Sequence, residues 1–388
     1  MRTAMRRVFG GKLVEEALRR KEHLRSLVGS KLDDEQRRRA IRDPHARRRP
    51  RPCGMTIHTS IGCSFGCIYC YVPDMGFPMK PRPYPLEPLE LVYALLHNEY
   101  IVPGRWGTLM AFGSVTEPFQ PEAVERTLGY MDAIRRYMDN PIQFSTKASI
   151  SDEVADMILE ASRGVVDALI TIVTLTKHRI LEPGAPPPSE RLETAERLSR
   201  RGLHVTLFLR PIIPCVVSAS ELRRIVLQAA RHGVRGVVAG SLRVTRGILD
   251  RLRLKGLRID CILSRLPRQP RGREQVPIQT ADLKRVVLDA ASTARLKFYP
   301  SACASSVEAH AVSCYMCRHG PCGDPSKLPV LDEDGVRDAV EYFGLRPLRI
   351  DVGRFTIRVE VAGRRVAPWV SEVLSTLSKR RFILVGRR

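Results

Sequence analysis

Three cysteines stand within eight residues in Cys63-Ser64-Phe65-Gly66-Cys67-Ile68-Tyr69-Cys70, directly after the apolar run 55–61. Thiols at C-x3-C-x2-C spacing can converge on one iron–sulfur cluster while leaving one of its irons without a protein ligand. A zinc site would need a fourth ligand, and nothing in the neighbouring sequence offers one. The chain must therefore fold so that this loop emerges from a strand and closes on itself.

From Met55 onward, strand-like and helix-like stretches alternate. Strands are predicted at 56–61, 108–112, 142–146, 168–175, 204–209 and 236–241, and helices at 88–97, 121–138, 151–162, 189–201, 219–231 and 281–294. The helical stretches carry apolar residues at three- and four-residue spacing, as with Val124, Leu128, Met131 and Ile134. Ser151 and Ser189 stand where N-caps belong, and Gly202 and Gly233 where the fourth and fifth helices should stop. Six strand–helix units with uninterrupted apolar strands imply a parallel sheet wrapped by helices. Curled parallel sheets carry their active sites at the C-terminal ends of the strands, where the cysteine loop emerges.

With 388 residues the chain is long enough for one large domain with appendages or two ordinary ones. The longest apolar run, 165–175, is interrupted by Asp167 and falls short of the roughly 18–20 residues that cross a membrane. No apolar segment follows the basic N-terminus as in a secretory signal, so the expected location is the cytoplasm. The net charge is +23, and 53 of the 64 basic residues are arginine. Such a surface attracts polyanions, and the guanidinium fork suits phosphate. Genome composition gives a blander source of arginine, and the only two asparagines, Asn98 and Asn140, match the bias of thermophile proteins.

The flanks are uneven. Residues 1–52 hold 17 Arg or Lys against 7 Asp or Glu and read as a basic helical and extended arm, with helices at 13–28 and 31–42. The stretch 53–298 forms the central domain, interrupted at 242–275 by an insertion with ten Arg or Lys, placed to grip an anionic substrate. Residues 299–328 form an irregular, cysteine-rich segment in which Cys303, Cys314, Cys317 and Cys322 point to a metal, either a second iron–sulfur cluster or structural zinc, at the bottom or the mouth of the central domain. Residues 329–388 look like a small α+β domain, with helices at 332–342 and 368–378 and a basic end at Lys379–Arg381 and Arg387–Arg388. Cys53, Cys215 and Cys261 are most simply small buried hydrophobes, Cys215 also being a candidate redox participant. Gly10-Gly11-Lys12 is followed by Leu13 and is not a phosphate-binding P-loop.

The cysteine motif, with Tyr69 before its last Cys, resembles the signature of the radical S-adenosylmethionine (SAM) superfamily. Four further stretches narrow the resemblance to its spore-photoproduct-lyase-like branch, often labelled DNA-repair-photolyase relatives. They are Gly113-Ser114-Val115-Thr116-Glu117-Pro118-Phe119-Gln120-Pro121, Ser145-Thr146-Lys147-Ala148-Ser149, Leu181-Glu182-Pro183-Gly184-Ala185-Pro186 and Arg210-Pro211-Ile212-Ile213-Pro214. The resemblance spans roughly residues 55–240 and implies an α/β fold, a partial (β/α)6 TIM-type barrel. It implies a [4Fe–4S] cluster on Cys63, Cys67 and Cys70, whose open iron chelates the amino and carboxylate groups of SAM. A one-electron donor such as ferredoxin or flavodoxin would then allow reductive cleavage to a 5′-deoxyadenosyl radical.

Other roles follow the same pattern. Phe65, Ile68 and Tyr69 would shield the cluster. Ser114, Thr116 and Glu117 offer acceptors for SAM's ammonium, and Lys147 matches the lysine implied to bind its carboxylate. Thr171 and Thr174 on the fourth strand are candidates for the ribose hydroxyls, Val237–Ser241 for the adenine, and Arg210 for SAM or a substrate phosphate. One departure stands out. The spore lyase proper supplies a hydrogen-donor cysteine beside the second-strand serine, and here that neighbour is Gly113. The expectation is a radical SAM enzyme whose target is a nucleic acid, with RNA modification ahead of DNA repair. The rivals are a maturase of a protein or metallocofactor, using the C-terminal metal to hold substrate, and a non-catalytic zinc-dependent nucleic-acid-binding protein.

Overall fold

Seven strands form one sheet: β1 (Met55–Ile57), β2 (Met110–Phe112), β3 (Ile142–Thr146), β4 (Asp167–Thr171), β5 (His204–Ile212), β6 (Gly236–Ser241) and β7 (Lys297–Tyr299). Their spatial order follows the chain and every neighbouring pair is parallel. The structure, a computed structural model, describes residues 7–51, 54–363 and 365–387. Successive side chains of a strand point to opposite faces. Ile142 and Phe144, Ala168 and Ile170, and Val205, Leu207 and Leu209 are buried on the outer face. The alternate residues Gln143 and Ser145, Asp167, Leu169 and Thr171, and His204, Thr206, Phe208 and Arg210 line the inside of a partial barrel.

The predicted run 56–61 divides, because Ser60–Ile61 leaves the sheet and pairs with Arg82–Pro83. The predicted fourth strand ends at Thr171, so Thr174 lies in the loop beyond it. Strand β7, only three residues long, is an edge strand too short for any periodicity to reveal.

Between the strands lie α3 (Pro88–His97), α4 (Val124–Ala133), α5 (Asp152–Ala161), α6 (Pro188–Arg200), α7 (Ala219–Arg231) and, before β7, α9 (Ala281–Thr293). The helix predicted at 121–138 changes its winding partway, α4 giving way to a π-helix over Ile134–Met138. The 242–275 insertion carries its own helix, α8 (Arg246–Leu254), and a single turn at Asp260–Leu263. It is fastened to the barrel mouth by a disulfide between Cys215 and Cys261. This corrects the reading of both as buried hydrophobes: Cys215 is exposed, in a left-handed turn (φ 61°) just past β5. Cys53 lies outside the described residues.

The segment read as irregular after residue 298 contains α10 (Ala302–Ala309) and a short ladder that sets Cys314 opposite Cys322. Helix α10 occupies the floor of the barrel. The Ala302 carbonyl accepts from Gln143 Nε2 at 2.7 Å, Ser305 donates to Asp167 Oδ1 at 2.9 Å, and His310 Nε2 accepts from the Ile142 amide at 3.1 Å. All three partners stand at the N-terminal ends of their strands.

The N-terminal helices α1 (Gly11–Gly29) and α2 (Asp34–Arg42) pack onto the body of the protein. Phe9 and Val14 are buried in the core of the C-terminal unit, together with Val340, Ile357, Leu374 and Phe382, whereas Val28 belongs to the barrel core. That unit consists of α11 (Glu333–Glu341), α12 (Pro368–Ser378) and strands β8 (Pro347–Val352), β9 (Thr356–Ala362) and β10 (Arg381–Arg387), β9 pairing antiparallel with β8 and parallel with β10. Several cations of the N-terminal segment satisfy internal carbonyls instead of facing solvent: Lys21 Nζ donates to Asn98 O at 2.5 Å and Arg48 Nη2 to Thr56 O at 2.6 Å. Phe9→Ala should cost about 3–5 kcal/mol in denaturant unfolding, whereas Arg19→Ala, at an exposed position, should change it by no more than about 0.5 kcal/mol.

Candidate active site

The cysteine loop follows β1 at the C-terminal end of the sheet. Its three thiols are half-buried and unoxidised. Phe65, Ile68 and Tyr69 are buried, with 8%, 6% and 6% of their surface exposed. Partners distant in sequence hold the loop. The Ile68 amide donates to Leu181 O, and the Gly184 amide to Phe65 O, each at 3.0 Å. Gln120, almost fully buried, donates through Nε2 to Ser60 Oγ at 3.0 Å and to Gly62 O at 3.2 Å, while its Oε1 accepts from the Ser64 amide at 3.3 Å. Gln120 lies within a quoted motif, yet no spacing rule marks it as the clamp of this loop.

Burial pushes the Cys63 thiol up to about 11 and the Cys67 thiol up to about 12, an effect that the Lys147 ammonium opposes in both. Lys147 is one residue beyond β3, and by alternation it falls on the inner face with Gln143 and Ser145. Its Nζ lies 5.8 Å above the centre of the Tyr69 ring. Burial disfavours the ammonium, but Cys67 and Glu182 outweigh it and raise the Lys147 pKa. Lys147 therefore remains a cation at the mouth of the barrel.

The second-strand turn is organised around Glu117. Its carboxylate accepts from the Thr146 hydroxyl, from the Lys147 amide at 2.9 Å and from the Phe119 amide at 3.2 Å. Burial raises its pKa against these donors. Ser114 is exposed, its carbonyl accepting from Tyr71 Oη at 3.2 Å, and Thr116 is buried beneath the turn. Gly113 has φ 82°, and a Cβ there would fall 2.1 Å from the Ser145 carbonyl, so no cysteine fits this position.

Thr171 ends β4 on the inner face. Thr174 is turned away: its hydroxyl donates to Glu221 at 2.7 Å and accepts from the Lys177 amide at 3.0 Å. Arg210 lies with its guanidinium 5.9 Å from the Phe208 ring centre and its stem across Gly240. The space that Gly240 leaves is thus filled by Arg210.

A buried polar chain runs beneath the loop. The Tyr69 hydroxyl donates to Glu182, which pairs with Arg191 at 2.7 Å, both ions being 0% exposed. Arg191 also donates to Pro186 O at 2.8 Å and Thr171 O at 3.2 Å, tying the cysteine loop to the end of β4. Arg191 on α6 was not legible as a site residue, because one arginine in a charged helix carries no distinguishing signal. Losing one partner of such a pair leaves a buried charge uncompensated. Arg191→Met should lower stability by about 3–5 kcal/mol in denaturant unfolding, and Glu182→Gln in the same chain should restore part of the loss.

The four C-terminal cysteines gather around the barrel floor, Cys314 facing Cys322 across the ladder and Cys303 in the first turn of α10. Burial raises the Cys322 thiol to about 12, with Cys314, Cys303 and Cys317 adding to the effect by proximity. Among the described residues, no three His, Cys, Asp or Glu side chains are already drawn into a finished ligand set.

Comparison with known proteins agrees with this layout. Residues 57–229 match the Radical SAM superfamily. An uncharacterised protein of Mycobacterium tuberculosis (strain ATCC 25618 / H37Rv) is 25% identical over 210 residues, 50% of this chain and 62% of the relative's length. The Radical SAM Nalpha-GlyT isomerase of Pseudomonas phage M6 is 22% identical over 178 residues, covering 45% of this chain and 36% of that protein. Spore photoproduct lyase complexed with dinucleoside spore photoproduct superposes with a TM-score of 0.51 at 16% identity, over 61% of this chain and 73% of that one. A mutant of that lyase with bound AdoMet and dinucleoside spore photoproduct superposes with a TM-score of 0.50 at 14% identity, over 62% and 73% of the two chains. No helix among the described residues is long and apolar enough to cross a membrane. Residues 57–229 thus carry a Radical SAM domain, and the chain shares its fold with spore photoproduct lyase.

Proposed function

We propose that this chain is a radical SAM enzyme acting on a nucleic acid, with a [4Fe–4S] cluster held by Cys63, Cys67 and Cys70 and SAM bound beside it. The observation that carries the reading is the cysteine loop itself: three half-buried thiols at the C-terminal end of β1, next to the buried turn of Glu117 and the Lys147 cation. The donor set suits the group, since three thiols leave one iron for a ligand that is not protein. When bound and reduced by one electron, the cluster supplies cleavage of SAM to methionine and a 5′-deoxyadenosyl radical, which takes a hydrogen atom from the substrate.

The chain's own residues do the holding. Lys147 sits where it can meet the SAM carboxylate, and the exposed Ser114 with the Thr116 turn offers acceptors to the ammonium. Glu117 already accepts from three donors and serves mainly to set the shape of that turn. Thr171 remains the candidate for the ribose, while the Thr174 hydroxyl is engaged by Glu221. Arg210, at the upper inner edge, is suited to a phosphate of SAM's neighbour, the substrate. Phe65, Ile68 and Tyr69 keep water from the loop. The nucleic-acid target rests on the net charge of +23 and on the fold shared with a lyase whose structure holds a dinucleoside.

The four C-terminal cysteines suit a closed tetrahedral site, and their place at the barrel floor favours structural zinc that fixes α10 in position. That location, at the end opposite the cysteine loop, disfavours the maturase reading in which this metal holds the substrate.

Anaerobic reconstitution with iron and sulfide should give about four irons per chain, as one such cluster requires, with zinc retained. The loaded protein should form 5′-deoxyadenosine from SAM under dithionite, and Cys67→Ala should abolish it. A fully loaded protein that leaves SAM intact sinks the enzyme reading, and about eight irons would replace zinc by a second cluster. Lys147→Met should raise the KM for SAM more than it lowers kcat. RNA affinity should fall steeply between 50 and 200 mM salt, roughly 1000-fold if six phosphates are contacted; binding that ignores salt overturns the nucleic-acid target.

A further inference from the structure

Arg251 makes contacts with the cysteine loop that the proposed function does not use, and Asp74 pairs with it. Arg251 lies on α8 in the insertion, 181 positions beyond Cys70, yet its Nη2 donates to the Cys70 carbonyl at 2.6 Å. Its Nε donates to Ile68 O at 3.0 Å, and its Nη1 and Nη2 reach the two carboxylate oxygens of Asp74 at 2.8 and 3.0 Å. One planar guanidinium therefore spans two backbone carbonyls of the loop and a carboxylate, a geometry that an ammonium cannot reproduce.

Asp74 is fixed in turn by α8. It accepts from the hydroxyl of Thr245, the N-cap of that helix, and stands at the helix N-terminus, where a carboxylate is favoured. Gly247 permits the approach, because a Cβ there would fall 2.4 Å from Asp74 Oδ1. On the other side of the same turn, the Val72 amide points at Cys70 Sγ from 3.4 Å. Cys70 is thus held at its carbonyl by a helix of the insertion and at its thiol by the Val72 amide.

We propose that Arg251 and Asp74 form a charged clasp that positions Cys70 and sets the reduction potential of the cluster, the guanidinium raising it and the carboxylate lowering it. This rests on the cluster assignment made above. The physical reason is Coulombic: reduction adds one negative charge at the cluster, and a fixed cation nearby stabilises it while a fixed anion opposes it. Arg251 touches the carbonyl of the ligand residue itself, whereas Asp74 stands one contact further away, so removing each should shift the potential in opposite directions. Arg251 acts here as a positioning residue, and part of the basic insertion is committed to the cluster loop instead of to substrate.

The test is an EPR-monitored redox titration of the reconstituted wild type beside Arg251→Met, Arg251→Lys and Asp74→Asn, with iron release to a chelator measured in parallel. Arg251→Met should move the midpoint to more negative values, Asp74→Asn to more positive ones, and Arg251→Lys should lie between wild type and Arg251→Met. Loss of such an outer partner typically weakens metal retention about 10-fold, so iron release from Arg251→Met should quicken by that order. Should Arg251→Met load no cluster, a positive shift in Asp74→Asn with weakened retention in Arg251→Lys still supports the clasp. Midpoints that stay put, or that move together in both single variants as a merely loosened loop would make them, overturn it. A wild type that takes up no cluster overturns the enzyme reading instead.

Discussion

The two-residue period of a parallel strand is the constraint on which this protein depends. In β3, β4 and β5 one set of side chains is chiefly apolar and packs under the helices, and the other, Leu169 and Phe208 apart, is polar or charged and faces the inside of the barrel. A register slip by one residue in any of these strands would bury Lys147 or Asp167 against helices and turn Phe144 or Ile170 inward. The sheet therefore separates two tasks on the same strands. The outer face supplies the core, and the inner face supplies a column that runs from Asp167 and His204 at the floor to Lys147 and Arg210 at the mouth.

The cysteine loop does not fix its own shape. Its backbone groups are claimed by Gln120 after β2, by Leu181 and Gly184 after β4, and by Arg251 on α8, so three separate stretches meet around eight residues. Beneath them the Tyr69–Glu182–Arg191 chain carries two fully buried ions paired with each other, and losing either one would leave the other uncompensated. A loop held this way is preorganised. Little of its geometry has to be created when a ligand arrives, which is the condition under which a reactive intermediate can be kept from water.

Part of the basic charge is taken up by partners within the fold. Arg37, Arg48 and Lys21 satisfy carbonyls, Arg39 pairs with the buried Glu90, and Arg201 bridges Asp152 and Asp156. The residue count overstates the charge offered to a polyanion. The N-terminal segment shows this most directly, since Phe9 and Val14 insert into the core of the C-terminal unit and make the segment a strut between that unit and the barrel.

The sequence by itself determined the order of the first six strands and their helices, and the end of the sheet at which the three-cysteine loop emerges. Those features are written in local signals: apolar period, caps, and thiol spacing. Strands β3 and β6 and helices α3, α7 and α12 have the predicted limits because each is long and cleanly bounded. Tertiary structure alone decided which distant residues complete the site. Nothing local distinguishes Arg251 from the other arginines of the insertion, or Cys215 and Cys261 from solitary thiols, until folding brings them to the same mouth. It also placed the second cysteine group at the floor and turned Thr174 into a loop. Contacts between residues tens to nearly two hundred positions apart leave no periodicity, and their energy exists only once the barrel has closed around them.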